Sequence, residues 1–162
     1  MASSKIKTRA EIKKIADALR KQGKRLVTLN GSFDLLHPGH LAILQEAKAQ
    51  GDVLFVGVNS DASIHIYKSK DRPIIGEKDR LEMLAALSCT DYLLLMEESE
   101  IAVPLIRLVR PAVHVNGAEY GANCVEAPAA KEVGARLHLV QHHSPVSTSG
   151  LIAKIKALPD KK

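Results

Sequence analysis

Tryptophan is absent from the 162 residues, and phenylalanine and tyrosine together make up only 3% of them. So few aromatic faces argue against a platform for stacked single-stranded nucleic acid. No apolar run approaches the ~18 residues of a membrane span. Cysteine is scarce too: Cys89 and Cys124 stand alone, without metal or redox spacing, and free thiols in a reducing compartment are expected. The opening Met-Ala-Ser-Ser-Lys-Ile-Lys has no apolar segment of the secretion-signal type, so a cytoplasmic protein is expected. Acidic charge is short overall, giving a net charge of +5, but the imbalance is local. Residues 1–25 carry nine Lys or Arg against two acids, and the remainder carries 14 basic and 16 acidic residues. The basic excess is therefore the solvated face of one helix rather than a groove, and neither nucleic acid nor a membrane is an expected partner.

Apolar residues amount to 46% of the chain, enough for one sizeable core. A single domain over 1–162 is expected, with 1–24 as a basic helix packed on it. Thr8-Arg-Ala-Glu11 reads as a capping box, followed by Ile12, Ile15, Ala16 and Leu19 at helical spacing and a stop at Gly23. Strands are expected near 25–30, 53–58, 92–96, 112–115 and 137–140. Helices are expected from Pro38 to about Gln50 and near 62–67, 76–88, 100–109, 125–133 and 147–157. Residues 68–75 and 117–124 read as loops, and Leu81, Leu84, Ala85 and Ser88 as one helix face. Strands alternating with helices imply an α/β, Rossmann-like, doubly wound five-stranded parallel sheet with helices on both faces. Ligands then belong at the carboxyl ends of the strands, at the topological switch point.

At such an end stands Asn30-Gly-Ser-Phe-Asp-Leu-Leu-His-Pro-Gly-His-Leu41. Gly31 permits a close turn, Pro38 suits a first helical turn, and Gly39 keeps side chains away from an approaching anion. His37 and His40, three apart, project from one face at a helix start, where phosphates are favoured. Zinc would need a third ligand, and His142-His143 is the only other histidine cluster; Gly-Ser-Phe-Asp before the pair fits phosphates better. His65, His114 and His138 lie in helix or strand patterns and read as structural.

Gly-x-Phe-Asp followed by His-x-Gly-His resembles the cytidylyltransferase-like nucleotidyltransferase superfamily, which joins a nucleoside monophosphate to a small phosphorylated substrate. Val56-Gly-Val-Asn-Ser-Asp-Ala-Ser63, Lys68, Arg72-Pro-Ile74, Arg80, Leu84-Ala-Ala-Leu87, Thr90-Asp-Tyr92 and Ser147-Thr148 through Lys154-Ile155 are similar to the heptose 1-phosphate adenylyltransferases of ADP-heptose synthesis. Glycerol-3-phosphate cytidylyltransferases share some of these signatures but match Asn59-Ser-Asp-Ala less well. Two stretches depart from the family pattern. Asn116-Gly-Ala-Glu-Tyr120 stands where Lys-Gly-Gly-Asp-Tyr is usual, and His142-His143-Ser-Pro stands in a segment that is usually acidic.

The resemblance implies transfer of AMP from ATP to D-glycero-D-manno-heptose 1-phosphate, giving ADP-heptose and pyrophosphate in lipopolysaccharide biosynthesis. Mg²⁺ would arrive with the triphosphate rather than on metal ligands of the chain, and the protein would be a homodimer. His37, His40 and Lys68 would be catalytic, with Lys70 close enough to replace Lys68. Asn30, Gly31, Ser32, Phe33, Gly39, Asn116, Gly117, Ser147 and Thr148 would bind the nucleotide, and Ser147 and Thr148 are also natural helix caps. Asp34, Asp61, Arg72 and Arg80 would bind the acceptor. For Asp34 and Asp61 the alternative is a helix cap, and for Arg80 an ion pair with Glu77. Other functions open at this point are CMP transfer from CTP to glycerol 3-phosphate, a catalytically silent nucleotide-binding module, and nucleic-acid binding through the basic first helix.

Overall fold

The computed structural model describes residues 2–97, 103–141 and 144–159. After a short 3-10 turn, α1 (Arg9–Lys21) opens on the expected capping box: Thr8 accepts from the Glu11 N–H, and the Glu11 carboxylate receives the Thr8 N–H at 2.8 Å. β1 (Leu26–Gly31), α2 (Pro38–Ala49) and β2 (Val53–Asn59) follow. Next come α3 (Asp61–Tyr67), α4 (Glu77–Ala86), β3 (Tyr92–Met96), α5 (Val103–Val109) and β4 (Val113–Gly117). A 3-10 turn at Ala118–Tyr120 leads to α6 (Ala127–Glu132), β5 (Arg136–Val140) and α7 (Thr148–Lys156).

All five strands are parallel, in the order β3-β2-β1-β4-β5. The chain thus works outward from β1 on one side and returns to build β4 and β5 on the other. This is the doubly wound α/β sheet expected, with its switch point between β1 and β4. Alternation along the strands feeds two cores. Val27, Leu29, Val56, Val58, Val113 and Val115 face Ile43, Leu44, Leu81 and Leu84 of α2 and α4. Leu26, Phe55, Leu94 and Met96 face Ile12, Ala16, Leu105 and Val109 of α1 and α5. Each fully buried aliphatic side chain contributes about 1.5–3 kcal/mol.

Four local expectations need correction. The fourth helix stops at Ala86 because Leu87 turns extended and the Thr90 hydroxyl donates to the Leu84 and Leu87 carbonyls, which leaves Ser88 exposed. The 125–133 helix starts only at Ala127, with Val125 at 66% exposure. Gly117 belongs to β4, not to the loop after it. The backbone after β1 turns not at Gly31 but at Phe33 (φ 51°) and Leu35 (φ 49°), left-handed conformations that side chains adopt at a cost of about 1–2 kcal/mol each. His142 and His143 lie outside the described residues, as does the first part of the helix expected near 100–109.

A buried polar contact lies in the α1–α5 face of the sheet. Thr28 Oγ1 and His114 Nδ1 are 2.8 Å apart, both residues fully buried, and His114 Nε2 has no hydrogen-bond partner. Burial lowers the His114 pKa from 6.5 to about 4, so the ring is neutral at ordinary pH. The structural reading of this histidine holds.

Candidate active site

A cleft of about 470 Å³ opens over the carboxyl ends of β1 and β4. Asn30, Gly31, Ser32, Phe33, Asp34, His37, His40, Lys68, Asn116, Gly117, Ser147 and Thr148 line it. Its size suits a small-molecule ligand.

The histidine pair forms its wall at the start of α2. His37 is the N-cap of this helix, and its Nδ1 accepts the Gly39 N–H at 3.1 Å. The neutral ring therefore carries its proton on Nε2. A Cβ on Gly39 would come within 2.9 Å of His37 Cε1 and 3.3 Å of the Val146 carbonyl. Gly39, expected to leave room for an anion, is buried and does not line the cleft; it is needed to seat the histidine ring. His40 stacks on His37, with centroids 3.8 Å apart and planes at 24°, and Phe33 meets His40 edge-on at 5.5 Å.

Lys68 lines the same cleft, and Lys70 is not among the lining residues. Desolvation and the neighbouring charges of Arg72 and Arg80 lower the Lys68 pKa, against a smaller opposing pull from Asp34. Asp34 is 1% exposed and does not cap α2. Its carboxylate accepts from Arg72 Nε at 2.7 Å, from the Ile74 N–H at 2.9 and 3.0 Å, and from the Ile75 N–H at 3.0 Å. Burial alone would raise its pKa; the Ile75 and Ile74 N–H groups and Arg72 outweigh this and hold it below the usual value. Arg72, expected to bind the acceptor, is not among the residues lining the cleft and keeps a buried Nη2 with no hydrogen-bond partner. At the far side the Thr148 hydroxyl donates to the Asp34 carbonyl at 2.8 Å, and Ser147 Oγ caps α7 by accepting the Gly150 N–H at 3.1 Å.

Two expected acceptor ligands have other tasks. The Arg80 guanidinium is buried and donates to the Ile75 carbonyl (2.9 Å), the Ser32 carbonyl (2.5 Å) and Asp61 Oδ1 (2.7 Å). It clamps the loop after β1 to the 68–76 segment and does not line the cleft. Its acid is Asp61, not Glu77, whose Oε2 instead accepts the Asp61 N–H at 2.8 Å. Asp61 likewise lies outside the lining, and Ser60 is the cap of α3, accepting from the Ser63 N–H at 3.1 Å.

Sequence reasoning missed three features. Tyr67 Oη sits 2.6 Å from Ser32 Oγ, and Glu119 and Tyr120 line the cleft on the β4 side. Glu126, 4% exposed just before α6, takes both Asn30 and Asn116 on its carboxylate. An acid ahead of a helix reads as an ordinary dipole partner, so only the fold could bring it to β1 and β4.

A parallel sheet with a helix start facing a cleft over its switch point is the architecture of nucleotide-binding α/β proteins. The cytidylyltransferase-like family model matches residues 28–160, and the chain belongs to that family. The bifunctional protein HldE of Helicobacter pylori is 43% identical over 146 residues, covering 90% of this chain and 30% of that protein. HldE of Geobacter sulfurreducens is 42% identical over 153 residues, or 94% and 31%. The chain spans about 30% of the length of these curated relatives. Among solved structures, a lipopolysaccharide core biosynthesis protein from Thermoplasma volcanium superposes with a TM-score of 0.60 at 28% identity, covering 76% of this chain and all of that one. A pantoate–β-alanine ligase from Francisella tularensis shares the fold, with a TM-score of 0.65 at 14% identity over 93% of this chain and 76% of that one.

Proposed function

We propose that this chain transfers the adenylyl group of MgATP to D-glycero-D-manno-heptose 1-phosphate, producing ADP-heptose and pyrophosphate. The observation that carries the reading is the stacked His37–His40 pair at the start of α2, sharing one cleft with Lys68. An oxygen of the sugar phosphate attacks the α-phosphorus in line, and the bond from that phosphorus to the pyrophosphate oxygen breaks. Such a reaction needs positioned reactants and donors aimed at developing charge rather than a protein nucleophile. His37 Nε2–H, fixed by the Gly39 contact, donates to a phosphoryl oxygen, and His40 supports it from the stacked ring. Lys68 neutralises charge at the α-phosphate. The N–H groups at the start of α2 and α7 receive the remaining phosphates.

Asp34, expected to bind the acceptor, acts in this reading as an organiser of Arg72 and the Ile74–Ile75 backbone. Its two oxygens are taken by Arg72 and by the Ile74 and Ile75 N–H groups. No group of three His, Cys, Asp or Glu side chains suited to a metal occurs among the described residues. Magnesium in this reading is part of the substrate, carried on the triphosphate. Arg72 does not line the cleft itself and reaches it only through its ion pair with Asp34; its unpartnered Nη2 is what supports an acceptor-phosphate role. Among the described residues no helix is long and apolar enough to cross a membrane. A cytoplasmic homodimer completes the reading, with sedimentation as the check on the dimer.

The test is pyrophosphate release from ATP, CTP or GTP with heptose 1-phosphates, hexose 1-phosphates or glycerol 3-phosphate. Release with ATP and a heptose 1-phosphate is expected, falling about 10²–10³-fold or more in His37→Ala and His40→Ala. Release confined to CTP and glycerol 3-phosphate would replace the substrate pair, and release unaffected by the histidine changes would remove the mechanism.

A further inference from the structure

Between β1 and β4 the sheet comes apart at the floor of the cleft. Their paired register is Val27 with Val113, Thr28 with His114 and Leu29 with Val115. One residue further, Asn30 still pairs with Gly57 of β2, and Asn116 still pairs with Leu139 of β5, but the two asparagines are not paired with each other. The Glu126 side chain spans that opening. Its Oε2 receives Asn116 Nδ2 at 3.1 Å, and its Oε1 receives Asn30 Nδ2 at a long 3.4 Å.

An ionised carboxylate only accepts hydrogen bonds, so both amides must turn their NH₂ groups toward it. Their carbonyl oxygens are thereby fixed as well. Asn116 Oδ1 accepts the Gly117 N–H at 2.9 Å and shapes the end of β4, while Asn30 Oδ1 is buried with no partner. Both asparagines line the cleft; Glu126 stands behind them and does not. A carboxylate 4% exposed is an expensive group to bury. Apolar side chains would close the same gap but would leave both amides free to turn.

We propose that Glu126 is a positioning residue for nucleotide binding: by accepting from Asn30 and Asn116 together, it sets the width of the β1–β4 crevice and the polarity of the two amides on its floor. The inference rests on the nucleotidyl-transfer reading of the cleft but concerns its nucleotide half alone. Glu126 touches no reacting atom, so its loss raises the KM for the nucleotide and leaves kcat and the acceptor KM near their original values.

Polarity can be tested separately from packing. Glu126→Gln keeps the shape but puts an amide NH₂ against an asparagine NH₂. Asn30→Asp puts a second carboxylate against Glu126. The double variant Glu126→Gln, Asn30→Asp restores a donor against an acceptor at that contact and returns the negative charge on the other side. Each single variant is expected to weaken MgATP roughly tenfold or more, read as KM and as Kd by calorimetry, the scale of a lost hydrogen bond to a charged group. The double variant is expected to recover most of that loss. A Glu126→Gln protein with the original nucleotide KM overturns the proposal, as does a double variant no better than the weaker single. Should the single variants fail to fold, a folded double variant with near-original Kd still supports it, and a double variant that also fails to fold leaves a purely structural role and overturns it. Recovery of Kd in a protein that turns over no substrate pair would retain Glu126 and reject the reaction. Turnover without recovery would do the reverse.

Discussion

Lys68 shows what a residue's surroundings add to its spacing. Lys68 and Lys70 both stand in the charged stretch before Arg72-Pro73, and sequence alone left either as the active lysine. Only Lys68 lines the cleft. Its lowered pKa gives a directional prediction. Activity that needs a cationic Lys68 falls as pH rises through that lowered value, so kcat/KM has an alkaline limb below the ordinary lysine range. Lys68→Arg moves the limb upward, because guanidinium stays charged; an unchanged limb would assign it to another group. Arg80 is the opposite lesson. Its position suggested a phosphate ligand, yet its donors are taken by Ser32, Ile75 and Asp61. Arg80→Met therefore acts on stability, costing about 1–3 kcal/mol in urea unfolding because the Ser32 and Ile75 carbonyls lose their donor, while Asp61 is 37% exposed and keeps water. A variant of unchanged stability with a raised acceptor KM would return Arg80 to the binding site. The placing of His37 and His40 in the cleft was legible because they stand three apart at a helix start after a strand, and that of Lys68 came from the family resemblance. Glu126 was not, because the two asparagines it serves lie 96 and 10 residues away.

The elements themselves were legible wherever periodicity and capping agreed. The α1 capping box and the buried runs of β1 and β2 came directly from pattern, as did the N-terminal proline of α2. The misses fall where side chains and turns override propensity: Thr90 ending α4 early, Ser60 rather than Asp61 capping α3, and positive φ at Phe33 and Leu35. Periodicity in β4 placed His114 in a strand but said nothing of its protonation. Its pKa falls from 6.5 to about 4, so between those values the unfolded chain binds a proton that the native protein does not. Stability is full above the unfolded pKa and declines as pH falls through 6.5 toward 4, by up to about 3 kcal/mol. Asp34, also lowered, adds its loss only further down, below the ordinary aspartate range. His114→Asn should flatten the pH 4–6.5 part of a stability profile measured by urea unfolding. An unaltered slope there would assign it to other groups.

For the whole molecule, the doubly wound order β3-β2-β1-β4-β5 explains why residues from every part of the chain meet in one cleft. The histidine loop leaves β1, Lys68 follows α3, Asn116 lies near the end of β4, and Ser147 precedes α7. Each element alone makes only a capped helix or a buried strand; parallel stacking brings their carboxyl ends together. The basic excess stays apart from this site. It belongs to α1, whose apolar side packs Ile12 and Ala16 against the sheet while none of its lysines lines the cleft. Within the Asn116–Glu119 stretch, Asn116 donates its amide to Glu126 and Glu119 lines the cleft.

The most direct measurement is the ³¹P NMR spectrum of products formed from MgATP and heptose 1-phosphate. Attack at the α-phosphorus predicts free pyrophosphate and the coupled pair of signals of a sugar nucleotide diphosphate. Appearance of ADP and a sugar bisphosphate would mean attack at the γ-phosphorus, and would contradict the assignment of the His37–His40 cleft to nucleotidyl transfer.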